Sequence, residues 1–331
     1  MTMTELKYPS ILTDLGHVGD LGLPINGEAW LQEELALCRE WGFTITTMPG
    51  NDERIRLEYD EEALVPYWIS QETPAISWSW LRTTGFLRVD STNRAARDEA
   101  RAGARDGTLI YAETQTAGRG RINRSWFSPT GTGIYFSLIL RPDQEWSRWP
   151  LLTHVAAVAL IDALKSLERK MQFPRKLDID LKWPNDVLLS GKKCAGILLE
   201  TLTLDEKNPA TIIGVGINVH PGSVPAELVD VAACVDEMSG TTIPRRRLLV
   251  AFLKYFQKNY QMFQEGKYVE LLERWKACSS MWDNVAVTVY ERECRRDAVT
   301  CGLDEMGALR VRFADGSTET VLAADVSIRK K

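Results

Sequence analysis

Between Gly118 and Gly131 the chain reads Gly-Arg-Gly-Arg-Ile-Asn-Arg-Ser-Trp-Phe-Ser-Pro-Thr-Gly. Arg119, Arg121 and Arg124 fall within six residues, and no Asp or Glu occurs from Thr114 to Ile134 to neutralise them. Gly118, Gly120, Gly131 and Gly133 leave the backbone free to take shapes that a Cβ would block. Trp126 and Phe127 sit among them. Unopposed guanidinium groups on such a backbone suit an anion with an apolar or aromatic companion, such as a nucleotide.

A second constellation is Lys182-Trp-Pro-Asn-Asp186. Proline biases Trp183 toward an extended conformation and ends the strand abruptly, fixing Lys182 at its terminus. Asn185 and Asp186 then occupy the turn. A cation, an amide and a carboxylate at one rigid corner can serve phosphate, metal and hydroxyl groups, although an ordinary strand-turn would read the same. Lys193 and Gly196 follow on the next strand, where a glycine in a strand interior marks a close approach to the backbone. A solvent-facing lysine and a packing glycine are the plainer alternative. Gly214-Val-Gly-Ile-Asn218 repeats the glycine theme without completing Gly-x-Gly-x-x-Gly, and no P-loop pattern occurs. Ser91-Thr92-Asn93, at a strand-to-helix junction, reads as a helix cap that also presents hydroxyl, amide and backbone donors to a polar ligand. Gln115 is either a ligand contact or a turn residue.

Together these motifs resemble the signature of the biotin protein ligases. Asp90-Ser-Thr-Asn93, Gln115-Thr-Ala-Gly-Arg-Gly-Arg121, Trp126-Phe-Ser-Pro129, Lys182-Trp-Pro-Asn-Asp186, Lys193-Cys-Ala-Gly196 and Gly214-Val-Gly-Ile-Asn218 occur in that family's order and at similar spacing. The resemblance spans roughly residues 85 to 330. It implies a class II synthetase-like catalytic domain that joins biotin to ATP as biotinyl-5′-AMP, then passes biotin to a lysine of a biotin carboxyl carrier domain. Lys182 and Arg121 would be the catalytic residues. Biotin would be bound by Ser91, Thr92, Asn93, Gln115, Arg119, Gly120, Arg121, Lys193 and Gly196. The nucleotide would meet Arg119, Arg121, Arg124, Trp126, Lys182, Asn185, Asp186 and Asn218, with Mg2+ carried mainly by the phosphates and no metal site of the protein's own. A homodimer is compatible with the family. A lipoate or octanoyl transferase of related fold and a biotin-responsive repressor are the competing readings. Ile122-Asn123 and Ser125 depart from members that are more basic or glycine-rich there, and the segment from His220 to Thr242, where the family has a second adenylate loop, gives no assignable contact.

These groups need elements to hold them. The expected class is α+β: a central mixed sheet with helices, covered on one face. Strands are expected at Phe86–Val89, Thr108–Ala112, Ile134–Leu140, Ile179–Trp183, Val187–Leu189, Ala195–Thr201 and Thr211–Val219. Helices are expected from Ser91 through Glu99, from Leu151 to about Met171, over Arg247–Phe263 and over Tyr268–Trp275. Ser190-Gly191 reads as a hairpin turn. Three regions follow: a winged-helix-like 1–72, a ligase domain 75–280, and a run of short strands at 284–331 suited to a small SH3-like barrel. In the first region Asn26 caps a helix ending near Trp41 and Gly42, followed by a hairpin around Pro49-Gly-Asn-Asp. That helix carries Glu28, Glu33, Glu34 and Glu40 against Arg39, which argues against DNA reading.

Composition bounds the class. The 331 residues are 44% hydrophobic and 26% charged with a net charge of −5, an ordinary globular balance that excludes wholesale coating of nucleic acid. Six cysteines without a Cys-x-x-Cys pair, and three histidines, give no zinc pattern and fit the reducing cytoplasm. No signal-like leader or stretch of 18 apolar residues is seen, so no membrane span is expected.

Overall fold

The computed structural model describes residues 6–7, 33, 35–36, 44–48, 54–58, 82–122, 124–202, 209–291, 294–322 and 326–330. In chain order these form β1 (Leu6–Lys7), β2 (Thr44–Met48), β3 (Arg54–Glu58), β4 (Thr83–Val89), α1 (Thr92–Arg101), β5 (Thr108–Gln115), β6 (Gly133–Leu140), α2 (Leu151–Met171), β7 (Ile179–Lys182), β8 (Asp186–Leu189), β9 (Lys192–Leu202) and β10 (Ala210–Asn218). After these come α3 (Val235–Ser239), α4 (Arg245–Gln264), α5 (Tyr268–Lys276), β11 (Asp283–Glu291), β12 (Cys294–Leu303), β13 (Leu309–Phe313), β14 (Thr318–Val321) and β15 (Val326–Lys330).

The α+β expectation holds. Eight strands form one sheet in the order β1-β4-β5-β6-β10-β9-β8-β7, mixed because β4 and β5 run parallel while the other pairs are antiparallel. β6, apolar at all but Ser137, is buried at every residue, as a strand covered on both sides must be. Alternation divides its side chains. Ile134, Phe136, Leu138 and Leu140 enter the main core with residues of α2, α4 and α5, while Ile139 joins a smaller cluster with Ala95, Ala96 and Ala100 of α1. Coverage of one face only is therefore wrong: α1 covers part of the second face, over β4–β6 and the Ala210–Ile212 end of β10. Ser190 and Gly191 both take positive φ, as the expected two-residue hairpin turn requires.

Two further regions differ from expectation. Leu6–Lys7 adds an edge strand to the central sheet, pairing with β4, although it falls in the stretch read as winged-helix-like. The expected hairpin near residue 50 is present as the separate β2–β3 ladder. Glu33, Leu35 and Ala36 are helical, and the rest of the expected Asn26–Trp41 helix lies outside the described residues. The C-terminal strands form an antiparallel sheet, β14-β13-β12-β11-β15, whose two edge strands do not pair among the described residues. Among the described residues this sheet does not close on itself into the small SH3-like barrel anticipated. No described helix is long and apolar enough to cross a membrane.

Candidate active site

On the face that α1 only half covers, a cavity of about 870 Å³ lies over the exposed ends of β9 and β10. Every residue that the sequence assigned to catalysis, biotin or nucleotide lines it. Ser91, Thr92 and Asn93 come from the β4–α1 junction, Gln115 from the end of β5, and Arg119, Gly120, Arg121, Arg124 and Trp126 from the loop that follows. Lys182, Asn185 and Asp186 come from the β7–β8 corner, Lys193 and Gly196 from β9, and Asn218 from the end of β10.

The arginine loop is itself a small hairpin. Arg119 bridges Ser125, Gly120 N–H donates to the Arg124 carbonyl at 2.7 Å, and Trp126 N–H donates to the Gly118 carbonyl at 2.8 Å. Its tip carries Arg121 and a half-exposed Ile122 at φ +53, a left-handed conformation that a β-branched residue adopts at a cost. Asn123 lies outside the described residues. Trp126 folds back over the sheet, directly above the paired glycines Gly196 and Gly216. A Cβ on Gly196 would lie 2.9 Å from the indole. The close approach expected at Gly196 is thus made by a tryptophan of the chain, and the indole N–H, buried, has no hydrogen-bond partner among the described residues.

Beside this floor runs a polar network. Gln115 Oε1 accepts from Thr92 N–H at 2.8 Å and from the Thr92 hydroxyl at 3.2 Å, while Gln115 Nε2 donates to Ser128 Oγ at 2.9 Å. Ser91 takes the N-cap position without a side-chain cap bond, so the first turn of α1 is capped by Gln115 and not by the Ser-Thr-Asn hydroxyl expected. Asn93 sits in a notch that exists because residue 214 has no Cβ. Its Oδ1 accepts from Ser137 Oγ at 2.7 Å and its Nδ2 donates to Glu200 at 2.8 Å.

The cationic corner faces this network. Lys182 closes β7, paired with Asp186 across the hairpin, and the Trp183–Pro184 peptide bond is cis. Lys193 Nζ lies 2.6 Å from Asp186 and 5.2 Å from the centre of the Trp126 ring. Arg121 donates to Asn185 Oδ1 at 3.0 Å, and Asn185 in turn donates to the Ile197 carbonyl at 2.8 Å. Burial pulls the Arg121 guanidinium below its usual pKa, with Arg124 adding to the effect and Asp186 opposing it. A partly desolvated cation held by neutral and acidic neighbours is a prepared site for an anion. Cys194, next to Lys193, is no nucleophile: burial pushes its thiol up to about 12.

Sequence reading missed several supports of the site. Ser128 and Ser137 join the network from the loop's far root and from β6, and Glu200 accepts from Asn93 while Arg119 lies 3.2 Å from its other oxygen. Arg245, at the start of α4, donates to buried Glu113 at 2.7 Å and to the Gly133 carbonyl at 3.2 Å, tying both roots of the arginine loop together. The only sequence signal for Glu200 is its parity with Gly196 in β9, an acid on the face that also carries Leu198 and Leu202.

The model of the biotin/lipoate A/B protein ligase family matches residues 85–218. The bifunctional ligase/repressor BirA of Bacillus subtilis is 32% identical over 300 residues, covering 89% of this chain and 85% of its own. The biotin–[acetyl-CoA-carboxylase] ligase of Paracoccus denitrificans is 38% identical over 149 residues, 42% of this chain and 59% of its own. Among solved structures, a biotin protein ligase from Aquifex aeolicus in complex with biotin and ATP is 28% identical and superposes with a TM-score of 0.60, over 76% of this chain and 98% of that one.

Proposed function

The chain belongs to the biotin protein ligase family, and from that premise we infer that it is an ATP-dependent biotin protein ligase acting in the cavity over β9 and β10. The observation that carries this reading is one cavity gathering five cations, Arg119, Arg121, Arg124, Lys182 and Lys193, around a glycine floor roofed by Trp126. Two anions have to meet there. A carboxylate oxygen of biotin attacks the α-phosphorus of ATP, the bond to the bridging oxygen breaks, and pyrophosphate leaves. A lysine amine of the acceptor then attacks the acyl carbon of biotinyl-5′-AMP, loses its proton, and AMP departs.

Both steps build negative charge near one spot, so a fixed cation there lowers the barrier. Lys182, at the end of a strand and backed by the buried Trp183, is assigned as the bridge between carboxylate and α-phosphate. Arg121 and Arg119 hold phosphate, with Arg124, Asn185, Asp186 and Asn218 around the nucleotide and Trp126 against the ligand. Ser91, Thr92, Asn93, Gln115, Lys193, Gly120 and Gly196 surround biotin. The loop from Gly118 to Gly131 closes over the adenylate and keeps water from the labile anhydride. Magnesium would be an ion brought by the triphosphate and held mainly by its oxygens, since Asn185 Oδ1 and Asp186 already face Arg121 and Lys193. Bound there it would neutralise charge on the phosphates. Residues 75–280 form the ligase region in this reading, 284–331 an appended sheet, and 1–72 a winged-helix-like region whose acidic expected helix speaks against DNA binding. The acceptor is a carboxyl carrier domain of a carboxylase.

A competition assay tests the substrate. Transfer to a purified carrier domain with ATP is expected to be blocked by unlabelled biotin and unaffected by lipoate; the reverse order would move the chain to the lipoate side of the wider family. A gel shift with biotin and ATP tests for an added repressor role, for which no shift is expected.

A further inference from the structure

Glu200 has no part in the reaction as described, yet it joins two groups that do. It stands in β9 four residues beyond Gly196 and on the same face. One carboxylate oxygen accepts the Asn93 amide at 2.8 Å, the other lies 3.2 Å from Arg119 Nη1, and Arg97 approaches at 3.8 Å. We propose that Glu200 is a positioning residue that anchors Arg119, and through it the whole arginine loop, over the adenylate.

Three features support the anchor. Asn93 is itself held, by Ser137 and by the notch at Gly214, so the carboxylate presented to Arg119 is fixed in orientation before the loop arrives. Less side-chain entropy is then lost when Arg119 pairs than in an ordinary surface ion pair. Arg119 is also the first rung of the hairpin that ends in Arg121 and Ile122, since it bridges Ser125 and Gly120 bonds Arg124. Where Arg119 is pinned, the tip must follow. The tip has its own tether, Arg121 to Asn185 at 3.0 Å, so the loop is fixed at two points: its root on β9 and its tip at the β7–β8 corner. The tip tether lies among groups that ligand must contact. In the root tether the carboxylate itself stands outside the cavity lining, although its partners Asn93 and Arg119 belong to that lining.

This inference rests on the adenylation reading above, and the test separates the two. Glu200→Gln keeps an acceptor for Asn93 and removes the charge facing Arg119. In the full-length protein, biotin-dependent pyrophosphate exchange reports adenylate formation, and the release of labelled biotinyl-5′-AMP in a single turnover reports retention. Glu200→Gln is expected to retain exchange and to lose adenylate about three- to fivefold faster, the scale of one ion pair. Glu200→Gln is expected to add little in the Arg119→Ala background, because the carboxylate then has no guanidinium of the loop left to anchor. Unchanged release in Glu200→Gln, or fully additive effects of the two substitutions, overturns the proposal. A lowered melting temperature with normal release overturns it as well, since it marks a purely structural carboxylate. If the unsubstituted protein shows no biotin-dependent exchange, the reading of the site fails, and this inference with it.

Discussion

At the scale of single residues, the site depends on cations arranged before ligand arrives. Arg121 is the clearest case, partly desolvated, held by Asn185 and near Asp186. Arg121→Gly removes the guanidinium from the loop tip, and the adenylate is expected to escape and label lysines of unrelated proteins. Labelled biotin appearing on a bystander protein measures this, and labelling as selective as that of the unsubstituted enzyme would contradict the closing role of the loop. The lining residues assigned to biotin and nucleotide were legible because each lies in a short motif with unusual chemistry: arginines without acids, a lysine before Trp-Pro, glycines in strands; Ser223, Pro225, Leu228 and Asp230, which line the cavity from the segment after His220, carry no such motif. Glu200 and Ser137 were not, because Asn93 meets them from 107 and 44 residues away, through a pairing that exists only once α1 lies on the sheet.

At the scale of elements, the glycines of β9 and β10 make a floor on which side chains, and not only ligand, are seated. Gly214 leaves room for Asn93, and Gly196 with Gly216 for Trp126. Gly214→Ala is expected to displace Asn93, destabilising the fold by about 1–3 kcal/mol as overpacking does and weakening biotin binding in calorimetry. Stability and affinity both within error of the unsubstituted protein would show that the notch is not needed. The strands and turns themselves were readable from apolar runs, from Ser190-Gly191 and from the proline after Trp183. What composition hid was the second covered face. A strand such as β6, apolar at nearly every position, gives no alternation by which to tell one covered side from two, and the small alanine face of α1 carries too little bulk to announce a core.

At the scale of the whole molecule, the C-terminal sheet is docked against the catalytic corner. Trp183, the neighbour of Lys182, is buried and donates its indole N–H to the Gly307 carbonyl at 3.0 Å, in the turn between β12 and β13. His154 of α2 lies against that turn, where a Cβ on residue 307 would come within 2.8 Å of its ring, and 5.0 Å from the Trp275 ring. No sequence pattern announced this contact, since each partner alone reads as ordinary core or turn. Burial pulls the His154 pKa down from 6.5 to about 4, with the Pro150 and Gly307 carbonyls opposing the shift. The fold therefore requires neutral imidazole. Its stability is complete above the ordinary value of 6.5 and falls as pH drops toward 4, because the unfolded chain takes up the proton first, a loss on the order of 3 kcal/mol. Denaturant titrations from pH 7.5 to 4.5 are expected to show that slope and a His154→Leu variant to lack this component; equal slopes would contradict the assignment. The central claim, that Lys182 joins biotin to ATP in this cavity, is tested most directly by biotin-dependent exchange of pyrophosphate into ATP. The unsubstituted protein is predicted to catalyse it and Lys182→Ala, folded by circular dichroism, to lose it entirely. Normal exchange by Lys182→Ala would contradict the mechanism proposed here.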